Sequence, residues 1–373
     1  MQEQPCCGFS QSKRHGILGE SGPGPIGAVE IRRAGPEDQS EIAQLVRQGG
    51  GREYDLKMLG RRQVWLAVDG KSAVGLTMLE PRILQWGGRH RRAGYWTNLF
   101  VHPDYRTTML YPRLVLEMFR GAEEAGLDFV YTAVRRQQVA RAHLAMGMHS
   151  IGELPVLAKV LRPGSLLAKY KQLGKRARLL SRGPDSAYAA YLHLRRPRTP
   201  PPFSIEELDW NSSDVSRFTD ILCSSGGERV CQAWTPDSLR FRFEDPLDGP
   251  PYRLIAARKN GRLTGGAVYR VVEREKQIRL GVIMLVVHEP NEFDAARFCL
   301  AEIERQASAQ NAEVILCLPT PGALTKGSLR ALGYRESPET YILMCRMTSR
   351  TPERRPTQDL SQWHYAFVDH DAF

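Results

Sequence analysis

Residues suited to holding an anion run from Asn98 to Arg106, in the order Asn98-Leu99-Phe100-Val101-His102-Pro103-Asp104-Tyr105-Arg106. An apolar stretch enters a short turn bearing a proline. An arginine and two threonines follow, and then Leu110, Leu114, Met118 and Ala122 recur every four residues. This spacing predicts a strand, a basic turn and the start of a long amphipathic helix. Free backbone N–H groups and the positive end of the helix dipole point at one spot there, where phosphate or carboxylate is stabilised. Other chemistries lack their patterns. No Walker loop, dinucleotide fingerprint or zinc-finger spacing occurs, and His364, His370 and Asp371 do not have the spacing of a metal site. The seven cysteines are scattered without a C-x-x-C pair, which argues against a zinc site or disulfide framework, and the expected compartment is a reducing cytoplasm.

The elements that must position this stretch recur in the same order in two halves. In the first, Val29 to Arg32 alternates like a strand and a helix follows over Gln39–Gln48, with Ile42, Leu45 and Val46 on one face. Val64 to Val68 and Ala73 to Leu79 form a hairpin about Asp69-Gly70. A strand at Tyr95 to Val101, a helix at Tyr111 to Glu124 and a strand at Phe129 to Val134 come next, before a short helix, Val139 to Ala145, stopped by Gly147. The second half repeats this with strands at Phe203 to Leu208, Leu254 to Lys259, Arg262 to Val271, Ile278 to Val287, Glu313 to Leu318 and Tyr341 to Met347. Its helices fall at Val215 to Leu222, Ala295 to Ala309 and Leu324 to Leu332.

A chain of 373 residues suits two domains, and 25% charged with 42% apolar residues marks it as globular. No apolar run reaches the roughly 18 residues of a membrane span, and Met1 to Gly27 has no apolar signal-peptide core. The expected division is a tail at 1–27, a domain at 28–163, a basic linker at 164–202, a second domain at 203–348 and a tail at 349–373. The net charge of +11 favours anionic partners without choosing among them. Much of it lies between Lys169 and Arg182 and at Arg195, Arg196 and Arg198. There Leu166, Leu167, Tyr170, Leu173, Leu179 and Leu180 interleave with lysines and arginines in an expected helix, Leu166 to Leu180. Two readings stand: an amphipathic helix on an anionic membrane surface, or one packed across the domains with its charges in solvent.

The element order and the stretch from Asn98 to Arg106 resemble the GCN5-related N-acetyltransferases, the GNAT family, over about Ala28 to Leu161 and more weakly over Phe203 to Met347. The resemblance implies an α+β fold of two tandem GNAT-like domains, each a mixed, mainly antiparallel sheet flanked by helices. It implies that Leu99, Phe100 and Val101 contact the pantetheine arm of acetyl-CoA, or of another acyl-CoA, as co-substrate. Arg106, Thr107, Thr108, Met109, Leu110 and Tyr111 take the places of the pyrophosphate loop. Met109 and Tyr111 stand where that loop has small residues, and Pro112 removes one amide. Four residues before Gly147, His143 takes the place of the tyrosine that protonates the leaving thiolate. Glu53, Asp55 and Glu80 are the candidate bases near the implied acceptor cleft. The second half has Leu329 at the position of His143 and an acidic segment, His288 to Glu292, in place of the loop.

Three functions follow from the resemblance. The first is acyl transfer, acetyl above all, from acyl-CoA to a small-molecule or sugar amine, with no metal. The second is a catalytically silent binding or scaffolding protein of the same fold. The third is a Fem-type peptidyl transferase using aminoacyl-tRNA, although no basic groove for nucleic acid is evident in the sequence. The ending Trp363 to Asp371 resembles that of two-domain GNAT proteins tied to bacterial surface polysaccharides, and its aromatic residues are expected to dock on the body.

Overall fold

In the computed structural model, which describes residues 29–49, 59–195, 197, 199–200, 202–244, 250–321, 323–349 and 359–370, the periodicities become elements with few changes. The first half comprises β1 (Glu30–Arg33), α1 (Gln39–Gln48), β2 (Gln63–Asp69), β3 (Ser72–Trp86), β4 (Arg89–Val101), α2 (Leu110–Glu124), β5 (Phe129–Val134), α3 (Gln137–Ala145) and β6 (His149–Val160). A connector of α4 (Pro163–Tyr170), α5 (Lys175–Leu180) and α6 (Arg182–Arg195) follows. The second half comprises β7 (Phe203–Leu208), α7 (Asp214–Gly226), β8 (Cys231–Gln232), α8 (Pro236–Phe243), β9 (Arg253–Lys259), β10 (Arg262–Glu273) and β11 (Arg279–His288). It ends with α9 (Phe293–Ala309), β12 (Val314–Cys317), α10 (Lys326–Ala331) and β13 (Arg335–Met347).

The strand order is β1-β2-β3-β4-β5-β13-β6-β12-β11-β10-β9-β7, with β8 beside β3. Read from either edge it is the same arrangement. Only β4–β5 and β11–β12 pair in parallel along this path; every other neighbour is antiparallel. The last strand of each half crosses the centre: β13 lies between β5 and β6, and β6 between β13 and β12. The two halves meet in one continuous sheet.

One strand is added and one expectation is corrected. Strand β6 has no counterpart in the sequence reading, because Gly152 and Pro155 interrupt its alternation. Both residues sit where the pairing with β13 slips register, which is where a strand tolerates a missing side chain or a missing N–H. The expected single helix from Leu166 to Leu180 is broken: α4 ends at Tyr170 and α5 begins at Lys175, with Gln172 in the left-handed region at φ +54° between them.

Helices α2, α3, α9 and α10 cover one face of the sheet, and α1, α7, α8 and the segment 359–370 cover the other. Helix α2 buries Leu110, Leu114, Val115, Met118, Phe119 and Ala122, and each large side chain contributes roughly 1.5–3 kcal/mol. It lies so close to the sheet that a Cβ at Gly121 would stand 2.2 Å from the Trp65 ring. Trp363, Tyr365 and Phe367 are fully buried, so the aromatic ending docks as expected.

Candidate active site

Strand β4 pairs with β5 only from Ala93 to Tyr95, opposite Phe129 to Tyr131. Beyond Tyr95 the two strands part. Asn98 takes φ +44° where the register with β3 slips, so a bulge turns the end of β4 away from β5. The chain leaves the strand with His102 N–H donating to the Val74 carbonyl (2.8 Å) and makes a single helical turn over Pro103–Tyr105. The Tyr105 hydroxyl donates to Asp69 and pins this turn to the β2–β3 loop, which pushes the tyrosine pKa up to about 12.

Thr108 organises the start of α2. Its hydroxyl donates to the Tyr105 carbonyl (2.7 Å) and accepts from Leu110 N–H (3.2 Å). The N–H groups of Thr107, Met109 and Tyr111 have no acceptor among the described residues, as expected of a helix N-terminus able to meet an anion. The Met109 side chain is 62% exposed, so it leaves the loop rather than filling it. Arg106 is exposed and its Nε donates back to the Val101 carbonyl at 3.2 Å.

Behind the loop, His143 lies stacked on Trp96, ring centroids 4.0 Å apart, and is only 3% exposed. Its place is fixed by the end of α3. Met148 N–H bonds to the His143 carbonyl and Gly147 N–H to that of Leu144, with Gly147 at φ +85°, closing a Schellman motif. The Trp96 indole N–H donates to Thr77 (2.8 Å), which holds the stack against the sheet. Burial lowers the His143 pKa to about 4, so its imidazole is neutral near pH 7. His143 Nδ1 lies 2.9 Å from the Tyr111 hydroxyl, whose pKa burial raises to about 12. Tyr111 is the less buried partner and the one that meets the loop.

Alternation along β4 sends Tyr95 to the opposite face. The Tyr95 hydroxyl is 2.8 Å from Nδ1 of His370, on the docked ending, and His370 packs edge-on against Tyr341. Arg82 stacks over the Tyr95 ring and donates to Glu80 (2.7 Å), to the Tyr131 hydroxyl (3.3 Å) and to the Asp369 carbonyl (2.9 Å). Arg62 approaches the other Glu80 oxygen at 3.4 Å. Glu80 is therefore held between two guanidinium groups. The Tyr365 hydroxyl is buried beside this cluster without a partner among the described residues. The other base candidates, Glu53 and Asp55, lie outside the described residues.

No family model matches the sequence, and no curated protein matches it. Solved structures do overlay. One, from Enterococcus faecalis V583, is described as a probable N-acyltransferase, with TM-score 0.60 and 12% identity over 86% of this chain and 72% of that one. N-myristoyltransferase of Saccharomyces cerevisiae, with bound myristoyl-CoA, aligns at TM-score 0.58 and 11% identity over 88% of this chain and 85% of that one. A GCN5-related N-acetyltransferase from Kribbella flavida aligns at TM-score 0.55 and 13% identity over 87% and 72%. The fold is the tandem GNAT fold. The likeness spans both halves, so the weaker resemblance of the second half is also one of fold.

Within that GNAT fold, the structure brings together most of the sequence-derived residues. Leu99 to Val101 line the end of β4 where it parts from β5, and Arg106 to Tyr111 form the loop beside it. His143 joins them through Tyr111, not by facing the loop itself. Trp96, Tyr95, Arg82, Tyr365 and His370 were missed as site residues. The adjacent Tyr95-Trp96 pair carried a usable signal, since consecutive strand residues must serve opposite faces. Among the described residues no group of three or more His, Cys, Asp or Glu is placed to hold a metal.

Proposed function

We propose that the chain is an acyl-CoA-dependent N-acyltransferase, acetyl transfer being the simplest case, whose donor site lies in the first half. The observation that carries this reading is the conjunction of the parted β4–β5 edge with three uncommitted amides at the start of α2. An extended pantetheine suits a strand edge, and a pyrophosphate suits amides at a helix N-terminus. Bound there, acyl-CoA supplies a thioester for direct attack by an amine. Arg106 swings from the Val101 carbonyl to pair with phosphate, and Thr108 keeps the helix start in place.

Proton handling falls to two pairs on opposite faces. The Tyr111 hydroxyl, backed by neutral His143, delivers a proton to the departing thiolate. His143 supports this step when its Nδ1–H donates to the Tyr111 oxygen, freeing the phenolic proton. On the other face, Tyr95 and His370 take the proton from the attacking amine. The acceptor approaches from the side of His370, the half-buried member of the pair, because Tyr95, Tyr131, Tyr365 and Arg82 are buried behind it. Calorimetry with acetyl-CoA, followed by thiol release with a panel of amines, tests this. Micromolar binding is expected, and no heat at millimolar cofactor would overturn the reading.

A second reading draws on Arg106 and Pro112. Arg106 already occupies the Val101 carbonyl, and Pro112 deletes a donor that phosphate could use. In this case the fold serves as a binding module without turnover. No heat with millimolar acetyl-CoA, together with no thiol release for any amine, would favour it.

A further inference from the structure

The connector between the halves collects charge and apolar surface in one place. Residues 162–198 contain ten Lys and Arg against one acid, Asp185, which accounts for nine of the chain's eleven net positive charges. That acid is turned inward. Asp185 is 3% exposed and accepts from Gly164 N–H (2.7 Å) and Ser165 N–H (3.1 Å), so α6 caps the first turn of α4 and ties the three helices together. Lys171, Arg176, Arg182 and Arg195 face solvent.

The apolar residues divide in the same way. Leu166 and Leu192 pack against the core, whereas Leu167 and Tyr170 on α4, Leu179 and Leu180 on α5, and Leu194 on α6 do not. Of the eleven exposed large apolar side chains among the described residues, seven lie between Leu167 and Leu194, including the two most exposed, Leu180 at 78% and Leu194 at 84%. Such a concentration marks an interaction surface. No helix among the described residues is long and apolar enough to cross a bilayer, so this surface would lie on a membrane rather than span it.

We propose that α4, α5 and α6 form a docking surface for an anionic membrane, with leucines entering the headgroup boundary and lysines and arginines meeting lipid phosphate and carboxylate. The charge decides among the occupants. A second copy of the chain would bring another nine net positive charges against these. A nucleic acid would use the basic residues but would leave the exposed leucines, which offer no stacking surface, in water. The inference does not depend on acyl transfer.

Co-sedimentation of the full chain with sucrose-loaded vesicles tests it, using phosphatidylcholine alone and phosphatidylcholine with about one-third phosphatidylserine. Wild type should pellet with the anionic vesicles and not with the neutral ones. L180E/L194E should lower partitioning at least about tenfold at an unchanged melting temperature, both side chains being in solvent. R176E/R182E should lower it as well, and so provides a second readout if the leucine variant folds poorly. Failure of wild type to pellet with anionic vesicles, or equal pelleting of both variants and wild type, would overturn the proposal. So would sedimentation equilibrium showing a dimer that L180E/L194E dissolves, or a salt-sensitive RNA shift to which the leucines are indifferent while vesicle binding is absent.

Discussion

The two halves of the molecule lay down their elements in the same order, yet their strand-to-helix junctions carry opposite electrostatics. In the first half, eight residues separate β4 from α2, and the amides of Thr107, Met109 and Tyr111 have no acceptor among the described residues. In the second half only four residues separate β11 from α9, and they carry their own carboxylates. There Glu289 pairs with Arg217 and with Arg262, and Glu292 pairs with Lys259. Negative charge already placed at a helix N-terminus satisfies the dipole and repels phosphate. The strands differ in the same sense. β5 continues three residues past its last pair with β4, whereas β12 ends at its last pair with β11, so among the described residues only the first half has a gap walled by two strands.

The C-terminal ends of α3 and α10 sharpen the contrast. Gly333 closes a second Schellman motif, with Tyr334 N–H on the Leu329 carbonyl, so Leu329 and His143 hold the same position relative to their glycines. One is a polar ring bonded to a tyrosine and the other a fully buried aliphatic. Equivalent backbone carries a polar ring on one side and an aliphatic on the other. Fold and site are separable properties, and this chain displays that within itself.

Placing an acid in the first-half loop should break the asymmetry most severely. Thr108→Glu imitates the second half and removes the hydroxyl that bonds to Tyr105, and acyl-CoA affinity by calorimetry should fall by about a hundredfold or more. Next come the partners on the opposite face of the sheet: Tyr95→Phe or His370→Ala should lower kcat by about a hundredfold while leaving KM for acyl-CoA within about threefold, as loss of general-base help does. His143→Leu installs the second half's residue and should reduce kcat by about tenfold, because Tyr111 keeps its hydroxyl but loses its backing. Met109→Gly should do least. Its side chain is already in solvent, so acyl-CoA affinity should stay within about threefold.

The buried histidines give the asymmetry a pH signature. His143 and His364 both have pKa values lowered by burial from 6.5 to about 4 in the folded protein. The unfolded chain binds these protons first, so the stabilisation is complete above about pH 6.5 and is lost as pH falls toward 4. Urea midpoints measured across this window should decline for wild type. They should decline about half as much for His143→Leu, in which only His364 still titrates, so the loss is shared between one residue of the site and one of the docked ending.

Much of this was legible in the sequence because the informative patterns are local. The stripe on α2, the hairpin about Gly70 and the apolar β5 follow from spacing alone, and the glycine after α3 marks its end. The position of His143 could be counted from Gly147. Its tyrosine partner could not, since Tyr111 reaches it across 32 residues through packing. The pairing of Tyr95 with His370 spans 275 residues and depends on where the ending docks. The surroundings of Glu80 could not be read from the sequence, because a carboxylate in sequence is anonymous. Only the fold brings Arg62 and Arg82 against it. The exchange of β6 and β13 was likewise invisible, since strand pairing at the centre of the sheet is decided by register and not by either strand alone.

The central claim, that one junction of two is a donor site, is tested most directly by hydrogen–deuterium exchange of the full chain with and without saturating acetyl-CoA. Protection should appear at 97–101 and 106–111 and be absent at 288–293. Protection at 288–293, or at neither junction with millimolar acetyl-CoA, would contradict the account.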